Sequence, residues 1–94
     1  MKNFRKRPVV IKGISFEDFI QFGKEHTDNI VNGMPWSFKF EGYSVTHGSD
    51  ECYAILLNGG HFINFKKGEI LTIQEDGAMK VYDELTFNRL YESL

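Results

Sequence analysis

A single cysteine, Cys52, excludes an intrachain disulfide, and a lone thiol is best kept in a reducing compartment. No apolar run approaches the roughly 20 residues needed to span a bilayer. The basic opening Met1-Lys2-Asn3-Phe4-Arg5-Lys6-Arg7 has no apolar stretch and small-residue cleavage site behind it, as a secretory signal would. Neither export nor membrane insertion is predicted, and the cytoplasm is the expected compartment. Also missing are an internal repeat, a linker and a low-complexity segment. No cofactor fingerprint is present either: Gly59-Gly60 and Gly68 match neither the Walker nor the Rossmann spacing and open no helix, so hairpin turns account for them.

What is there describes one soluble domain. Ninety-four residues suffice for a single core, and 41% hydrophobic with 26% charged content is that of a folded globule. Nine phenylalanines, four tyrosines and one tryptophan fill such a small core economically. Net charge is −2 and unevenly placed. Lys2, Arg5, Lys6 and Arg7 occupy the first seven residues, leaving seven basic against thirteen acidic residues and a body charge of −6. An acidic body disfavours specific nucleic-acid binding, although Arg5, Lys6 and Arg7 on a mobile arm over residues 1–7 would be able to touch an anionic partner. The plainer reading of that arm is a solubilising tail.

Along the chain, Pro8 to Ile14 is β-branched and opens on a residue that cannot donate to a ladder, which predicts a first strand. Ser15 then stands as an N-cap with Asp18 three positions on, and Phe16, Phe19, Ile20 and Gly23 share one face of a helix reaching His26. Thr27 to Pro35 shows no clear period and is read as a loop. Trp36-Ser37-Phe38-Lys39-Phe40 alternates and should form a half-buried strand that turns at Glu41-Gly42 into Tyr43-Ser44-Val45-Thr46.

From Glu51 to Tyr82, three apolar runs separated by Asn58-Gly59-Gly60, Lys66-Lys67-Gly68 and Glu75-Asp76-Gly77 predict an antiparallel meander. Cys52 to Leu57, apolar on both faces, reads as its doubly covered central strand. Leu71, Ile73, Met79 and Val81 are the inward residues of the last two strands. Asp83 is a second N-cap, and Phe87, Leu90, Tyr91 and Leu94 recur at helical spacing. The predicted fold class is α+β: a curled, mostly antiparallel, half-barrel-like sheet with one helix after strand one and a short C-terminal helix.

Several of these stretches carry a resemblance. Phe4-Arg5-Lys6-Arg7-Pro8-Val9-Val10-Ile11, the Gly68-Glu69-Ile70-Leu71 turn, the Gly77 to Tyr82 strand and the Phe87 to Glu92 ending frame nearly the whole chain. In these the chain resembles a family of small proteins encoded by bacteriophages and prophages. It departs from that family at Lys12-Gly13, where the family has Glu-Ala, and at Asp83-Glu84, where it has Pro-Cys. The resemblance implies the fold and a phage origin, and carries over no catalytic residue.

The chemistry-bearing residues are few. His47, Asp50, Cys52 and His61 lack the tight spacings of a closed zinc set, so no metal is predicted. Cys52, opening an apolar strand, reads as a small core filler rather than a nucleophile. Trp36, Phe38, Phe40 and Tyr43 form an aromatic hairpin that is mostly core. Trp36, at a loop-to-strand junction, is the ring expected to stay partly exposed, as interface tryptophans are.

Three functions follow from different classes. A non-enzymatic accessory protein would bind a host macromolecule and inhibit or divert it, with a defence system among the targets. A small-ligand binder would hold an anionic, nucleotide-like molecule with Trp36, Tyr43 and His47 under Lys66 or Lys67. A hydrolase would pair Cys52 with a histidine. Unguarded sheet edges also leave homodimerisation through edge pairing open, with Pro8 and Lys80 as the few edge guards.

Overall fold

The residue that starts the central helix is Ser15, whose Oγ accepts the Asp18 amide at 3.2 Å. Glu17 and Asp18 face the positive end of the helix dipole. In a computed structural model that describes residues 1–6 and 9–93, the helix α1 spans Phe16–Glu25. It stops where the His26 amide turns back to the Gly23 carbonyl and the His26 ring donates through Nδ1 to the Phe22 carbonyl. Phe16, Phe19, Ile20 and Gly23 are its buried face, as their spacing predicted.

That face lies on a sheet curled around it in two main parts. Five strands run in the order β10-β9-β2-β1-β11, where β1 is Lys2–Lys6, β2 Val9–Ser15, β9 Glu69–Ile73, β10 Met79–Asp83 and β11 Glu92–Ser93. Four more run β5-β6-β7-β8, where β5 is Ser37–Phe40, β6 Tyr43–Ser49, β7 Cys52–Leu56 and β8 Phe62–Lys66. A small hairpin joins β3, Ile30–Val31, to β4, Met34–Pro35. Every described pairing is antiparallel, and β8 passes beside β9 and β10 without joining their ladder. The result is an α+β domain whose sheet does not close into a barrel.

The core is aromatic. The Phe19 ring is fully buried, with the rings of Phe38, Phe40, Tyr53 and Phe65 at centroid distances between 5.0 and 6.1 Å. Most of these meet it edge to face, the arrangement the ring quadrupoles favour. On the opposite face of the five-stranded part sits the second helix, α2, Glu84–Leu90, covering Ile11, Ile70 and Tyr82 with Phe87 and Tyr91. Asp83 caps it, accepting the Thr86 amide at 2.9 Å and the Thr86 hydroxyl at 2.8 Å. The Thr86 amide, then its hydroxyl, hold the Asp83 carboxyl below its ordinary pKa.

Five readings of the sequence need correction or completion. Residues 2–6, expected as a mobile arm, form β1, paired to β2 on one side and β11 on the other. The supposed loop holds the β3–β4 hairpin, whose turn residues Asn32 and Gly33 both have positive φ, 52° and 81°. Asn-Gly between two short apolar pairs is the strongest local signal for that turn. The meander breaks at Lys66-Lys67-Gly68, because β9 pairs with β2 and β10 rather than with β8. The doubly covered strand is therefore β9, with Leu71 toward α1 and Ile70 toward α2, while β7 is covered on one face only. Leu90, assigned to the buried stripe of α2, is 38% exposed. Pro8, the predicted strand opener, and Leu94, the last stripe residue, lie outside the described residues.

Two stability predictions follow from this packing. Phe87→Ala empties the space under α2 and should cost about 3 to 5 kcal/mol in denaturant melts, a large share of a small domain's stability. Asn88→Ala and Leu90→Ala, at exposed positions, should each stay within about 1 kcal/mol of the parent; equal losses for all three would mean that α2 does not dock. Gly23→Ala sets two effects against each other. Alanine improves helix propensity by about 1 kcal/mol. Its methyl, however, would lie 2.6 Å from Phe38 Cε1, inside a ring held by Phe19 and Tyr53, and overpacking of that kind costs about 1 to 3 kcal/mol. Net destabilisation is expected, and a raised melting temperature would show that Phe38 has room to move.

Candidate binding surface

Where the β3–β4 hairpin runs into β5, backbone hydrogen bonds hold Trp36 from both sides. Its amide donates to the Asn29 carbonyl at 2.7 Å, and its carbonyl accepts the His47 amide at 2.9 Å. The second bond extends the β5–β6 ladder by one position, so the two side chains stand side by side. Their rings stack at 3.9 Å with a 24° interplanar angle. On its far side the imidazole meets the ring of Tyr53, its register partner on β7, edge on at 5.3 Å. Trp36, His47 and Tyr53 thus form a row across three strands, running from the rim into the core.

Asp50 completes the arrangement. The register of β6 against β7 shifts between His47 and Ser49, and the turn that follows brings Asp50 Oδ1 to 2.8 Å from His47 Nε2, which donates to it. The ring is fixed by a carboxylate at its edge and an aromatic ring on either side. Tyr53 donates its hydroxyl to the Pro35 carbonyl at 2.6 Å, tying β7 to β4 beneath the row. Burial, and secondarily the negative charge of Asp50, push the Tyr53 phenol up to about 12. With its inner neighbours pinned, Trp36 is presented in one orientation and remains 40% exposed. Exposed Ile30 and Val31 lie on the adjacent hairpin, Ile30 paired with Pro35.

The other residues singled out in the sequence are dispersed. Tyr43 sits at the far end of β6 opposite Phe40, packed against the main core, four positions and about 13 Å along the strand from His47. Lys66 is opposite Cys52 on the outer face of the four-stranded part. Lys67 instead borders an open groove of about 290 Å³ with Asp50 and with Glu17, Gln21 and Lys24 of α1. Arg5 and Lys6 belong to β1, and Arg7 lies outside the described residues.

Strand alternation also separates Cys52 from the imidazoles. His47 and Tyr53 face the core side of the sheet, so Cys52, next to Tyr53, faces the other side; exposed His61 lies beyond the opposite end of β7. Asp50 and Tyr53 are the residues that reading the sequence did not assign to a site. A His-x-x-Asp spacing across Gly48-Ser49 was the available signal for the first, whereas Tyr53 looked like any strand aromatic.

No protein-family model matches this chain, and no curated protein or solved structure matches it.

The buried phenol gives the site a pH signature. Its pKa in the folded protein, about 12, is above the ordinary value of 10.0, so the folded state holds the proton more tightly than the unfolded chain does. The stability contributed is complete below the unfolded value and is lost as pH rises through the folded one. Between those two values stability should fall with a slope approaching about 1.4 kcal/mol per pH unit for this one proton. Tyr82, raised mainly by its hydrogen bond to Tyr91, adds to the alkaline loss. Tyr53→Phe should be less stable near neutrality by about 1 kcal/mol, through loss of the bond to Pro35. Its alkaline decline should also be shallower. An unchanged alkaline profile in that variant would place the titrating group elsewhere.

Proposed function

We propose that the protein is a non-enzymatic accessory protein of a bacteriophage that binds a host macromolecule and inhibits or diverts it. The observation that carries the reading is the Trp36–His47 stack, a half-exposed indole held rigid from behind and flanked by exposed Ile30 and Val31. A fixed aromatic anchor loses little side-chain entropy on binding, and tryptophan is enriched among the residues that dominate protein interfaces. The bacteriophage assignment rests on the resemblance at the two ends of the chain and in the Gly68 turn, and a host defence system remains one of the targets it fits.

An anionic small ligand is less well served. Tyr43 stands away from the stack, and the groove that receives Lys67 and Lys24 also receives Glu17 and Asp50. A phosphate there would meet carboxylates as readily as ammonium groups, and opposing charges at similar range cancel most of the attraction.

The test is affinity capture from bacterial lysate with the parent and Trp36→Ala side by side, both first shown to melt alike. A protein retained by the parent and reduced by about tenfold or more with Trp36→Ala is the expected result, since loss of a hot-spot tryptophan costs 2 kcal/mol or more, roughly thirtyfold in affinity. An identical set of retained proteins for both would remove the stack from the interface.

A further inference from the structure

A second surface, independent of the Trp36 stack, lies on the other side of the four-stranded part. Its inner face is covered by α1, and the five-stranded part is covered by α2 on its outer face. Among the described residues no helix covers the outer face of β5-β6-β7-β8; the Asn29 side chain reaches only its β5 edge, donating to Ser37 Oγ at 3.1 Å. Strand register lays out its side chains: Lys39, Ser44, Leu56 and Phe62 form one row across the strands, and Ser37, Thr46, Ala54 and Asn64 the next. Beyond them Cys52 is opposite Lys66.

Leu56 and Phe62 are direct cross-strand partners in the first row, and Phe62 is 63% exposed. Leaving an aromatic ring this open on a sheet, beside a leucine that is also exposed, forgoes burial that a polar residue would not need. The charge distribution is equally uneven. The chain has 13 acidic residues, yet none of these rows contains one; its two charges are Lys39 and Lys66. Those lysines occupy opposite corners, three strand spacings and four residues apart, about 20 Å along the diagonal.

We propose that this face docks an acidic polypeptide segment, one that seats an apolar side chain on the Leu56–Phe62 pair and sets carboxylates against Lys39 and Lys66. The small side chains of Ser44, Thr46 and Ala54 leave room for an extended or helical segment, and Ser37, Lys39, Ser44 and Thr46 border an open groove of about 520 Å³ with His26. Charge selects its sign: the charged side chains of these rows are ammonium groups alone, and the Glu69 carboxylate at the β8–β9 turn is already engaged by the Lys66 amide at 2.7 Å, so an anionic partner is favoured over a cationic one. Two lysines and a single aromatic ring neutralise and stack too little of a single-stranded nucleic acid to hold it.

The experiment selects a displayed library of random linear peptides on the intact protein, then measures binding of the enriched peptides to the parent, Phe62→Ser, and the Lys39→Glu/Lys66→Glu double variant. All these positions are exposed, so circular dichroism and melting should be unchanged. The expected result is enrichment of sequences combining Asp or Glu with Leu, Phe or Trp. Their affinity should fall by about tenfold or more in each variant and remain unaltered in Trp36→Ala. The proposal is overturned by no enrichment, by basic or charge-independent sequences, or by peptides that bind Phe62→Ser as well as the parent. It is equally overturned if poly(dT) binds this face instead, or if sedimentation shows a second copy of the chain covering it in a dimer that Phe62→Ser dissolves. Because Trp36→Ala is measured in parallel, failure here is distinguishable from failure of the Trp36 interface.

Discussion

Everything in this fold depends on Phe19 being surrounded. Its ring occupies the centre of the curled sheet, where Phe38, Phe40, Tyr53 and Phe65 converge from β5, β7 and β8, and α1 sits low enough for this because Gly23 lets Phe38 approach its backbone. A domain of this size has few residues to spare for its interior, and aromatic rings bury the most apolar area per residue. The curl of the sheet follows from the same need: strands from both parts must bend toward one helix to enclose it.

The candidate binding surface is an extension of that core. Tyr53 belongs to the Phe19 shell and also backs His47, which backs Trp36. The row passes from fully buried to half exposed without a change of chemistry, so rigidity in the core is transmitted to a ring at the rim. Asp50 and the Pro35 carbonyl supply the polar partners that let an imidazole and a phenol take part in it. Such presentation favours recognition over flexible adaptation, since the rotamer choices are made before a partner arrives.

The two faces of the sheet are treated differently. On the five-stranded part, β9 is apolar on both sides and both are covered, with the buried Thr72 hydroxyl donating to the Lys80 carbonyl. On the four-stranded part only the inner face is covered. Phe62 is the largest apolar group left to solvent by this asymmetry, and it lies on a face whose register rows contain lysine but no acidic residue.

What the sequence determined by itself was local. Capping by Ser15 and Asp83, the stripe of Phe16, Phe19, Ile20 and Gly23, the alternation of Ser37 to Phe40 and the turn at Glu41-Gly42 each depend on residues within a few positions of one another, and each is found where spacing places it. Partial exposure of Trp36 was legible for the same reason. Which strands pair across the chain was decided only by tertiary structure. β8 and β9 are joined by a turn that looks like any hairpin, yet β9 needs cover on both faces and finds it between β2 and β10. The row from Trp36 to Tyr53 likewise required register, because a side chain's neighbour across a sheet is set by the hydrogen-bond ladder and not by distance along the chain. Residues 2–6 made the point most simply: four cations in seven residues look like a solvated tail until a partner strand takes up their backbone hydrogen bonds.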